Sequence, residues 1–178
     1  ASKSDYSETT PTQLAWLYRV QQLANEMVVP NYSEKKLRAL VADLARYTVD
    51  PEELRFIPHL LAECGIRFVI VETLPNTRID GVCFWTDSQS PVIGMSTLKD
   101  RIDNFWFVLR HEIEHVLNGD GKGGITHAII DSDIDVCREE TVDEEERLAN
   151  EAAANFCVPR EELESFYTRK FPFIAEKD

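Results

Sequence analysis

Residues His111-Glu112-Ile113-Glu114-His115 concentrate the chain's reactive groups: two histidines four positions apart, with a glutamate beside the first. On an α-helix, positions i and i+4 share a face, so the two imidazoles can converge on one cation. Glu112 then stands where a carboxylate can take a proton from water activated by that ion. The plain alternative is a surface helix bearing two incidental histidines. Phe105, Trp106, Phe107, Val108, Leu109, Ile113, Val116 and Leu117 oppose it, because a helix so rich in apolar residues must be largely buried. A buried histidine pair needs polar partners, and a metal ion supplies one. His111 and His115 are therefore expected to ligate Zn2+, with Glu112 as general base.

Catalytic zinc usually has three protein ligands and one open position. No third histidine lies within a turn or two of His115, so the longer H-E-x-x-H-x-x-G-x-x-H pattern does not apply. His127 follows a glycine-rich loop and His59 lies far upstream; both read as surface or hydrogen-bonding histidines. The acidic run 143–146 opens a later helix and offers carboxylates, although acids there also suit the helix dipole. Glu145 points toward the middle of a Leu148/Ala152/Phe156 stripe, and Glu146 sits at its edge beside Ala149 and Ala153. Helical geometry alone leaves both open.

The elements that must hold these groups are legible from periodicity. Apolar residues at helical spacing over 12–28 predict a first helix, stopped by Pro30 and Asn31. Ser33 can cap a second, carrying Leu37, Leu40, Val41 and Leu44, and Asp50-Pro51 can start a third that ends near Gly65. The pattern then turns to strands at 66–72, 82–86 and 92–96, the last two paired as a hairpin. A long helix over 101–118 carries the histidines. Residues 125–142 are ambiguous between a short strand and an acidic loop, and helices are expected over 143–157 and 161–169. This is an α+β order, with residues 1–65 as a helical N-terminal layer packed on a core of residues 66–178.

The paired motifs resemble a known family. Arg110-His111-Glu112-x-x-His115, followed by Glu146-x-x-Ala149-Asn150-x-x-Ala153 and ending at Pro159, looks like the ImmA/IrrE-type zinc metallopeptidases. The resemblance covers roughly residues 66–159. It implies a zincin-like metallopeptidase core, with Glu146 as third zinc ligand and Asn150 as a group orienting a ligand. Ala152 stands where the family commonly has phenylalanine and Glu114 where glycine is frequent; neither position is a ligand. The resemblance further implies a regulatory endopeptidase that cuts a partner transcriptional repressor or antitoxin. A domain of this kind often follows a helix-turn-helix unit, and the missing initiator methionine would fit a fragment. The first 65 residues do not read as that unit.

Composition narrows the remaining classes. The 178 residues are 43% hydrophobic and 29% charged, the balance of a globular protein. No apolar run is long enough for a membrane span, and the N-terminus has no secretory h-region. Thirty-two acidic against nineteen basic residues leave a formal charge of −13, which repels phosphate and argues against nucleic-acid binding. A protein substrate is expected instead, and a basic DNA-binding repressor would complement this charge. Four scattered cysteines suggest a reduced, cytoplasmic chain with small buried thiols. Cys137, nine residues before Glu146, is a candidate silencing ligand at the open zinc position, against an ordinary loop or core cysteine. Arg110, His127 and Tyr167 are conceivable oxyanion donors that the sequence does not rank. The competing class is a non-proteolytic zinc module acting through partner binding, for which an intact Glu112 would be superfluous.

Overall fold

Thr10 and Pro11 start the first helix, and the computed structural model describes the chain at residues 9–97, 101–131 and 144–170. The Thr10 hydroxyl accepts the Gln13 amide while the Gln13 side chain returns to the Thr10 amide, satisfying two donors that every helix start leaves over. Helix α1 (Pro11–Glu26) buries Trp16, Leu17, Val20 and Ala24 on one face. Helix α2 (Glu34–Asp43) is capped by Ser33 and runs into a 3-10 turn at Leu44–Thr48.

The third helix differs from the expectation of one continuous run. Asp50 caps a 3-10 segment at Pro51–Phe56, and only then does α3 (Ile57–Glu63) begin. Pro58 is the reason: inside a longer helix its ring would strike the carbonyl four residues back and leave one bond unmade, whereas in the first turn it is harmless. Gly65 follows with φ +86, and a Cβ there would lie 2.6 Å from the Tyr32 backbone.

Strands β1 (Arg67–Val71), β2 (Gly81–Trp85), β3 (Pro91–Ser96) and β4 (Ile129–Asp131) form one sheet in the order β1-β3-β2-β4. β1 runs parallel to β3, while β2 is antiparallel to both β3 and β4. Side chains alternate between faces with the period of two that a strand imposes. Val69, Val71, Val82, Phe84 and Val92 pack with α1. Phe68, Cys83, Trp85, Ile93 and Met95 face the other way, with α2, α3 and helix α4 (Ile102–Asn118). Gly94 lets α1 come close, since a Cβ there would sit 2.7 Å from Val20 Cγ1. On the opposite face Leu109 and Ile113 of α4 are fully buried, each contributing about 1.5–3 kcal/mol.

Helix α5 (Glu144–Cys157) lies on the outer side of α4, and α6 (Arg160–Lys170) follows it. Its buried residues are Ala149 and Ala153, with Phe156 tilted against Trp106 at 6.1 Å between ring centroids. The contact stripe is thus turned from the expected Leu148/Ala152/Phe156 line, and Leu148 is left exposed. Small side chains allow the closer approach of two helix axes. Cys64 and Cys83 are buried, but Cys157 is exposed, a departure from the expectation of buried thiols throughout. Among the described residues, no helix is long and apolar enough to cross a membrane.

Candidate metal centre

The centre of α4 presents His111, Glu112 and His115, none of which has exposed surface. Helical spacing brings the two histidines together, and Nε2 of His111 lies 3.0 Å from Nε2 of His115. The third group comes from α5. Glu146 Oε2 is 3.5 Å from His111 Nε2, and Glu146 Oε1 is 3.6 Å from His115 Nε2. Ala149 and Ala153 decide this meeting, because their burial against α4 turns the i, i+3, i+7 face of α5, Glu146 included, toward the histidines. Glu145, left open beside it by helical geometry, is exposed.

These three donors fit a metal ion. Their ligand atoms all lie within 4.8 Å of one another. Donors about 2.0–2.2 Å from a tetrahedral ion stand roughly 3.3–3.5 Å apart, close to the separations found here. Two imidazole nitrogens facing each other beside a carboxylate are reconciled by a cation between them, whereas without one the burial would be costly.

One further residue, absent from the motif reading, completes the geometry. His115 Nδ1 is 2.9 Å from Asp120 Oδ2, and the Asp120 side chain is only 9% exposed. An N–H on Nδ1 donating to that carboxylate leaves the Nε2 lone pair aimed at the ligand cluster. Asp120 reaches back because Gly119, at φ +78, ends α4 in a left-handed turn. The amides of Gly119 and Asp120 donate to the carbonyls of Val116 and His115, closing the helix end. The Asp120 carbonyl accepts from Trp85 Nε1 at 2.8 Å, which ties this turn to β2. Only the glycine one residue after the helix signalled any of this in the sequence.

Glu112 packs on β2 at Gly81. A Cβ at Gly81 would come within 2.8 Å of Glu112 Cδ and 3.0 Å of Val108 Cγ1, so the carboxylate occupies space that any other residue would fill. Asn150, one turn beyond Glu146, is half-buried, and its Oδ1 has no hydrogen-bond partner among the described residues. The remaining candidates are engaged elsewhere. His127 is exposed and meets Thr126 and Gly123 at its Nδ1, His59 pairs with Glu63, and Arg110 pairs with Glu114 at 2.8 Å. Cys137 and the Tyr167 side chain lie outside the described residues.

The sequence profile of the IrrE N-terminal-like domain, Peptidase M78, matches residues 63–176. The chain belongs to this family. Among individually curated proteins, none matches it. The profile spans the sheet, both motif helices and α6, so the M78 peptidase core includes every group placed at the centre above. M78 peptidases are metal-dependent hydrolases, and among the described residues His111, His115 and Glu146 form a group that could hold a metal ion.

Proposed function

We propose that this M78 member is a zinc-dependent endopeptidase acting on a protein partner. The observation that carries the reading is the meeting of His111, His115 and Glu146 with a buried Glu112 beside the first of them. Two imidazoles and one carboxylate are a donor set well suited to zinc, with a position open for water or substrate. Zinc, when bound, would polarise a peptide carbonyl and bring the acidity of water toward neutrality. The chain's own residues supply the rest. Glu112 takes the proton of the attacking water and passes it on toward the departing amine. Asp120 fixes the tautomer and orientation of His115, and Gly81 leaves room for the Glu112 carboxylate. A transcriptional repressor or antitoxin is the partner class that the family resemblance favours, and the −13 charge suits a basic substrate. Free thiols at Cys64 and Cys83 suit a reducing, cytoplasmic setting.

The test is metal content beside peptide cleavage, on the wild-type chain and on Glu112→Gln. About one zinc per chain in both, with cleavage in the wild type alone, is the expected result. A wild-type chain that takes up no zinc would overturn the reading. Retained zinc with a cellular effect indifferent to Glu112→Gln would assign the protein to non-proteolytic partner binding.

A further inference from the structure

Helix α6 buries none of its described side chains, and a helix so exposed draws little stability from packing within the chain. It leaves α5 at Pro159, and a groove of about 800 Å3 lies where the two helices diverge. Leu148, Ala152 and Cys157 line it from α5, Val158 and Leu163 from the joint and α6, and Phe107 of α4 reaches its floor. Helix geometry sets it apart from the metal centre. Leu148, Ala152 and Asn155 lie one residue, about 100°, around α5 from the Ala149, Ala153 and Phe156 row that packs on α4. Leu148, Val158 and Leu163 are 38%, 51% and 44% exposed, so the groove offers solvent a contiguous apolar surface.

We propose that this groove is the docking surface for a basic amphipathic helix of the protein partner. The inference adds to the endopeptidase reading the place where the partner is held, and rests on it only for calling that partner a substrate. Backbone chemistry argues for a helix over an extended strand. The Val158 amide is spent on the Ala154 carbonyl and the Arg160 amide on Asn155 Oδ1, while Pro159 has no N–H. An extended segment would find no donors at this joint, whereas a helix satisfies its own backbone and brings only side chains. Charge argues for a basic one. Arg147 is taken up by Glu144 and Glu151, and Arg160 by Glu164. Glu145, Glu161 and Glu162 enter no ion pair among the described residues. Glu161 and Glu162 carry the hollow onward past Val158 and Leu163, with Arg169 as the base beside them. A second copy of the chain would bring −13 against −13, so self-association on this face is opposed while a cationic partner is drawn in.

The experiment uses the full chain and a fluorescein-labelled helix of leucine and lysine, about four turns long, with its leucines on one face. A scrambled peptide of the same composition and a leucine–glutamate helix are the controls. Fluorescence anisotropy should give the basic amphipathic helix at least about tenfold tighter binding than either control. Leu163→Ser with Val158→Ser, both at exposed positions, should remove that advantage at an unchanged melting temperature. Glu161→Gln with Glu162→Gln should weaken binding in low salt only. Cys157 lies in the groove, so the bound helix should slow its alkylation, read residue by residue by mass spectrometry. Equal binding of the scrambled peptide, or an advantage that survives the serine pair, would overturn the proposal. A dimer in light scattering that the serine pair dissociates would assign the groove to a second copy. Faster Cys157 alkylation in a chain shortened after Lys170 would assign it to the chain's own following residues. None of these readouts depends on zinc, so their failure leaves the endopeptidase reading standing.

Discussion

Helices α4 and α5 supply the same centre in opposite ways. α4 offers two ligands with no exposed surface, packed between the sheet and α5, and one of them is tied at its far nitrogen to Asp120. α5 offers one ligand whose side chain is 30% exposed, on a helix anchored by two alanines and one aromatic contact. One side of the site is therefore set by the folding of the core. The other is set by a helix docked on its surface, and side chains there answer to the ligand more than to the fold.

That contrast can be broken most completely at the ligands. His115→Ala and Glu146→Ala should both abolish zinc retention and cleavage, read by metal analysis and a peptide assay. Their metal-free stabilities should separate: His115→Ala leaves Asp120 without its partner and costs about 1–3 kcal/mol, and Glu146→Ala about 0.5 kcal/mol or less. Equal losses in urea titrations would erase the distinction between the two helices. Asp120→Asn keeps every ligand and should weaken zinc binding about 10–100-fold, measured by competition with a chelator. Gly81→Ala should keep zinc but push Glu112 from its place. Turnover should then fall with metal content unchanged, and overpacking should cost about 1–3 kcal/mol. The smallest effect belongs to the outer face of α5, where Arg147 pairs with Glu144 and Glu151 in the open. Arg147→Ala should leave melting temperature, zinc and cleavage unchanged, since exposed pairs of this kind contribute little.

What could be read in the sequence follows the same division. The histidine pair was legible because a four-residue spacing on a helix is local and needs no knowledge of the rest of the chain. The α+β order was legible for a similar reason, as period two and period 3.6 are properties of short windows. Glu146 against Glu145 was not decided locally. One residue is about 100° around the helix, and the choice depended on whether leucine or alanine faces α4. The apolar stripe pointed to Leu148, yet close packing selected Ala149 and Ala153. Asp120 and Gly81 are tied to the site by a helix-ending turn and by a strand some thirty residues upstream, contacts that no periodic pattern encodes. Pro58, by contrast, stood in plain view, and its effect on the third helix follows from φ and a missing N–H alone.

The strand order has a kinetic consequence. β2 and β3 meet across the short turn between Trp85 and Pro91, whereas β1 must find β3 with Arg67 opposite Val92, and β4 must find β2 with Ile129 opposite Cys83. Closing the nearer loop is the faster event, so the β2–β3 hairpin is expected to be the nucleus onto which both outer strands are laid. Core truncations at Val82 or Ile93 should then slow refolding, while truncations at Val69 should mainly hasten unfolding. Because Gly81 opens β2, the strand against which Glu112 rests would be laid down before the outer strands of the sheet are in place.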